Sequence, residues 1–111
     1  MSYRLLTFPL NELIIAPDTI AENLNHACER RPGLRITGVC QSNDHVCFPC
    51  EAAPANTPPV RYLLAPINAD TTESLSAELH QRWASHFTTL GMVYLPNTYL
   101  ALYTQPLNLK P

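Results

Sequence analysis

The chain has 111 residues, a formal charge of −2 and only 14% charged residues, so it lacks the clustered Lys and Arg that nucleic acid or an anionic membrane surface would require. Hydrophobic residues make up 46% of it, yet no run of about eighteen apolar residues occurs, and no membrane-spanning helix is expected. The length fits one domain, 1–111, and the low charge with high apolar content favours a body that covers surplus apolar surface by self-association.

Tyr3 to Phe8 is a short aromatic and aliphatic run stopped by Pro9, which reads as a strand. It lacks the pattern of a secretory leader, so cytoplasmic residence is the expectation. A helix is signalled from Asp18 or Thr19, where Thr19 and Glu22 have capping-box spacing and Ile20, Leu24, Ala27 and Cys28 share one face; Pro32-Gly33 ends it. Leu34 to Gln41 and His45 to Glu51 read as two strands joined at Ser42-Asn43-Asp44. The first half therefore spans 1–51 as β-α-β-β. Residues 52–59 are small, uncharged and proline-rich, and read as a linker. In the second half, 60–106, Val60 to Ala65 is a strand, and Asp70 with Glu73 has the spacing of a helix start. Leu75, Leu79, Trp83 and Phe87 form the apolar stripe of that helix, and Trp83 is expected in the core. Met92 to Leu95 and Tyr99 to Thr104 are the last strands, turning at Pro96-Asn97-Thr98, and 107–111 is a tail.

The halves echo each other. Arg4-Leu5-Leu6-Thr7-Phe8-Pro9-Leu10-Asn11 returns as Arg61-Tyr62-Leu63-Leu64-Ala65-Pro66-Ile67-Asn68, and Ala21-Glu22 and Gly38-Val39 return as Ala77-Glu78 and Gly91-Met92. The fold class that follows is α+β: a two-layer α/β sandwich, ferredoxin-like or a tandem βαββ repeat with a pseudo-twofold, with two helices on one face of a mainly antiparallel sheet.

Strand phase then selects a free surface. A three-residue turn at Ser42-Asn43-Asp44 pairs Gln41 with His45 and Arg35 with Glu51, sending Leu34, Ile36, Cys40, Val46, Phe48 and Cys50 inward and Arg35, Thr37, Gln41, His45 and Cys47 outward. The same phase in the second hairpin leaves Val93, Leu95, Tyr99, Ala101 and Tyr103 on the side away from the helices. That surface is apolar and calls for cover, by the linker, by a tail containing Leu107 and Leu109, by a second copy of the chain, or by a small molecule held among Tyr99, Tyr103 and His45.

His45-Val46-Cys47-Phe48-Pro49-Cys50 contains a C-x-x-C. A redox pair of this kind needs both sulfurs at disulfide distance, whereas residues three apart on a strand face opposite sides. Zinc needs four converging ligands, and only His45, Cys47 and Cys50 stand as weak metal candidates; Cys28, Cys40 and Cys50 read as small buried hydrophobes. His26, His80 and His86 lie on helices at the edge of the apolar stripes, and Arg4 and Arg61 open equivalent strands where carboxylate partners are expected. Three glycines make no phosphate-binding fingerprint, and no catalytic constellation emerges. The expectation is a non-enzymatic interaction module with no cofactor, homodimerising through Val93, Leu95, Tyr99, Ala101 and Tyr103. A small-molecule binder or small enzyme with His45, Cys47 and Tyr103 in its pocket is the alternative, and a thiol or metal site at Cys47 and Cys50 the third.

Overall fold

The computed structural model describes residues 3–30, 33–54, 57–67, 71–95 and 98–107. The Pro96-Asn97 part of the second turn, Asp70, Pro32, Asn68, Leu109 and residues 55–56 of the linker lie outside the described residues. Strand β1 (Tyr3–Pro9) runs into a short helix α1 (Leu10–Ile15), which the sequence reading did not anticipate. Pro9 ends the strand, Leu10 N–H donates to Asp44 O (2.7 Å), and α1 has no side-chain cap; its buried Leu13 fixes it instead. Helix α2 (Pro17–Arg30) begins two residues before Thr19, with proline in its first position, where the missing N–H costs nothing. Ile20, Ala21 and Leu24 are buried along one face, and Cys28 packs beside them.

Strands β2 (Leu34–Ile36), β3 (Cys40–Ser42) and β4 (His45–Ala52) follow. The expected pairing of Arg35 with Glu51 is present, but β3 is shifted by one: Cys40 faces Cys47 and Ser42 faces His45 across a two-residue turn in which Asn43 is left-handed (φ 53°). The shift comes from a bulge, residues 37–39 standing opposite Phe48 and Pro49. Its cause is Pro49. The Pro49 carbonyl accepts from Thr37 N–H (2.9 Å) and Thr37 Oγ1 (3.2 Å), so the N–H that proline lacks would have pointed to the same side, and the ladder there has one donor too few. Beyond the bulge every side chain changes face, which moves Cys40 from the expected interior to an exposed position.

The second half contains β5 (Val60–Ile67), α3 (Thr72–Ala84), β6 (Thr88–Leu95) and β7 (Thr98–Pro106). Thr71 caps α3 in a reciprocal box with Ser74, in place of the expected Asp70 and Glu73. In each half the last strand is central: β4 lies between β1 and the β2 and β3 pair, and β7 lies between β5 and β6. All pairings are antiparallel, giving two sheets rather than one.

The helices do not share a face of a single sheet as expected. α1 and α2 join one core with both sheets, in which Leu13, Ile20 and Leu24 meet Val46, Phe48 and Cys50 of the first and Leu64, Leu100 and Leu102 of the second. α3 covers the other side of the second sheet, where Ile67, Ala101 and Tyr103 are buried with Leu75, Leu79 and Phe87. Each such aliphatic burial contributes roughly 1.5–3 kcal/mol, which is why an amphipathic α2 serves two sheets at once. Asn25 completes the junction: its Nδ2 donates to Tyr62 O (3.0 Å) and its Oδ1 accepts Tyr62 N–H (2.8 Å), occupying the free edge of β5. On the opposite flank a Cβ at Gly91 would stand 3.1 Å from Val39 Cγ1, so glycine is what lets β6 approach the bulge. No helix among the described residues is long and apolar enough to cross a membrane.

Candidate functional site

The five residues expected on an open sheet face divide between two interiors. Val93 and Leu95 point into the core shared with α2, whereas Ala101, Tyr103 and half-buried Tyr99 lie under α3. The pairing is Val93 with Leu100 and Tyr94 with Tyr99, one residue out of the expected phase, so the assumed common face does not exist. Tyr103, 1% exposed, packs edge-on to Phe87 (6.3 Å between centroids) beneath the Arg82 guanidinium, 4.8 Å from its ring centroid. Its hydroxyl is buried and has no hydrogen-bond partner among the described residues. Burial pushes the Tyr103 phenol up, and the charge of Arg82 opposes this.

Arg82 takes the place on α3 expected for Trp83, which is 67% exposed beside His80 (6.2 Å between ring centroids). Tyr94 is likewise exposed, 5.0 Å from Tyr99. Phe87 and His86 lie beyond the end of the helix, His86 with a left-handed backbone (φ 72°). Arg61 donates to Gln105 Oε1 (3.0 Å) rather than to a carboxylate.

The thiol and imidazole candidates separate in the same way. His45 and Cys47 are on the outer face of the first sheet, while Cys50 is in the core, its thiol donating to Phe48 O (3.3 Å). Desolvation raises the Cys50 thiol, with the Arg4 charge opposing. The C-x-x-C is thus split across the sheet, and among the described residues no group of three or more His, Cys, Asp or Glu could hold a metal ion. Of the three cysteines expected as buried hydrophobes, Cys50 is buried and Cys28 half-buried, whereas Cys40 faces outward and is exposed.

The feature that sequence reasoning missed is a cleft of about 1110 Å³ between α2, β2, residues 53–54 and 57–59 of the proline-rich segment, and the start of β5. Leu34, Ile36, Val60, Tyr62, Leu90 and Leu107 supply apolar lining, and Pro54, Pro58 and Pro59 one rim. Arg35 is held by Glu51 (3.0 Å), its Nε buried with no hydrogen-bond partner among the described residues, and His26 Nδ1 sits 3.5 Å from Glu29. Glu22 and Arg61 are the remaining charged groups at the lining. Tyr62 closes the floor: it is 2% exposed and its hydroxyl accepts the Ile36 N–H (2.9 Å) across the junction of the halves. Burial pushes its phenol up to about 12. Burial also raises the adjacent Cys28 thiol, so it stays protonated and weakly nucleophilic at neutral pH. The segment read as a linker was the available signal, because its prolines restrict the backbone where a flexible joint would have been Gly- and Ser-rich, and Pro54, Pro58 and Pro59 line the cleft. No family model, curated protein or solved structure matches the chain.

Proposed function

We propose that the chain is a non-enzymatic binding module that takes a small, largely apolar molecule of no net charge in the cleft between its halves. The observation that carries this reading is the cleft itself, whose volume of about 1110 Å³ lies just above the range of about 300–1,000 Å³ usual for small-molecule sites and whose walls come from both sheets and α2. Arg35 is paired with Glu51, Glu22 and Arg61 are of opposite sign, and Glu29 lies 3.5 Å from His26 Nδ1, so the charged groups at the lining are of mixed sign. Such a lining favours an uncharged or zwitterionic guest over a strongly ionic one. Binding rather than catalysis is supported by Cys28, whose raised thiol has no activating base beside it among the described residues; His26, two residues away on the same helix, projects about 200° round from it.

The test is a titration of the isotope-labelled chain with a panel of uncharged and zwitterionic aromatic fragments, followed by amide shifts. Shifts confined to Asn25, Cys28, Leu34 to Thr37 and Arg61 to Tyr62, and lost in Thr37→Trp, bear the proposal out. Unchanged spectra across the panel at millimolar concentration refute it.

Self-association is the second reading. At its expected location it would require α2 or α3 to leave the second sheet, but among the described residues no helix covers the outer face of the first sheet, which presents Leu5, 57% exposed, opposite half-buried Pro49. Light scattering of the parent and of Leu5→Glu separates a dimer broken by charge from a monomer. The same strand order in both halves, together with the echo of Arg4–Asn11 in Arg61–Asn68, supports descent by duplication of a βαββ unit. Four free thiols fit a reducing, cytoplasmic setting.

A further inference from the structure

We infer that Cys40 and Cys47 form a reversible cross-strand disulfide on the outer face of the first sheet, making that face a thiol modification site responsive to peroxide. The two are direct partners in the antiparallel β3–β4 ladder. Partners in such a ladder stand about 4.5 or 5.5 Å apart at Cα, and both spacings fall within the 4.4–6.8 Å that a disulfide spans. Their side chains project from the same side, because directly opposed residues share a face. That side is the one opposite Val46 and Phe48, which are buried in the core.

The bulge creates this juxtaposition. Had the β2 register, with Ile36 opposite Cys50, continued without interruption, Cys40 would oppose Val46 and point into the core, and Cys47 would oppose Val39. The extra residue in 37–39 exchanges those faces. Cys40 is exposed and Cys47 is 6% exposed beside it, a graded pair in which one sulfur meets the solvent and the other waits within reach.

The chemistry balances with a peroxide as oxidant. The Cys40 thiol reacts with hydrogen peroxide, the O–O bond breaks, and a sulfenic acid and one water result. The Cys47 sulfur then attacks the Cys40 sulfur, an S–S bond forms, and the hydroxyl leaves as a second water after taking the Cys47 proton. Overall two thiols lose two hydrogens and the peroxide becomes two waters. A small dithiol reverses the bridge by exchange, returning both thiols.

The experiment treats the full chain with hydrogen peroxide, counts free thiols by alkylation after denaturation, and runs the product on non-reducing gels. The count should fall from four to two within a monomer and return to four with dithiothreitol. In Cys50→Ala the bridge should persist, whereas in Cys40→Ser it should be lost; Cys40 is exposed, so that variant keeps its fold. Fragmentation mass spectrometry of the parent locates the bridge directly, should Cys50→Ala fold poorly. A count that stays at four, a stable sulfenic or sulfinic product at Cys40, a bridge using Cys50 or Cys28, or covalent dimers in place of the intramolecular bridge would each overturn the inference.

Discussion

Replacing Tyr62 with Phe removes one oxygen and leaves the ring, its packing and the backbone in place. The loss falls on Ile36, whose buried N–H donates to that hydroxyl at 2.9 Å and would be left without a partner. Stranding a buried amide costs about 1–3 kcal/mol. At an unfolding entropy of roughly 2.1 cal/mol/K per residue, each kcal/mol lowers Tm by about 4 °C in a chain of 111 residues. Tyr62→Phe should therefore unfold roughly 4–13 °C below the parent, with an unchanged denaturant slope. Tyr103→Phe is the matched control, because its hydroxyl is just as buried but meets no partner in hydrogen-bonding geometry among the described residues, the Arg82 guanidinium lying over the ring. That variant should be neutral or slightly stabilising, since only an uncompensated polar group is removed. Urea unfolding followed by far-ultraviolet circular dichroism reads both. A cost below about 0.5 kcal/mol for Tyr62→Phe, or an equal cost for Tyr103→Phe, would refute the reasoning.

Three further outcomes follow from the same geometry. Tyr62, Tyr103, Cys28 and Cys50 all have raised pKa values, so the unfolded chain loses these protons first; stability should hold below about pH 9 and fall as pH rises through 10 to about 12, where Tyr62 ionises, as seen by urea midpoints and phenolate absorbance. The single Trp83 should emit as a water-exposed indole, iodide should quench it almost equally before and after unfolding, and Trp83→Ala should shift stability by less than about 0.5 kcal/mol. Arg82 lies over Tyr103 and donates to Pro66 O (2.9 Å), so Arg82→Ala should cost about 1–2 kcal/mol by chemical denaturation, with Lys a poor substitute because it lacks the planar fork.

Where one face of an element meets solvent, the sequence was readable. The Ile20, Leu24 and Cys28 stripe of α2 and the inward Val46, Phe48 and Cys50 of β4 lie as their periodicity requires, and Arg35 stands opposite Glu51. The β3 register was not readable, because it depends on one missing N–H at Pro49, a local donor count that outweighs the alternation pattern. The second hairpin failed for a different reason. Val93 and Leu95 are buried on one side and Ala101 and Tyr103 on the other, so no polar face exists to fix the phase, and a sheet covered twice looked like one left open. On α3 the i, i+4, i+8 series advances about 40° per step, which carries Trp83 off the face that Leu75 and Leu79 define and brings Arg82 onto it. The cleft was hidden because its floor, Tyr62 and Ile36, belongs to different halves and joins through a single hydroxyl that no local pattern announces.

Native-state hydrogen exchange is the most direct measurement of whether α2 binds the halves into one body with the cleft between them. The amides of Phe48 and Cys50 in β4 and of Ala101 and Leu102 in β7 should exchange through one global opening, with equal free energies and equal dependence on denaturant. Two distinct opening free energies, one for each sheet, would contradict the shared core and with it the cleft as a built site.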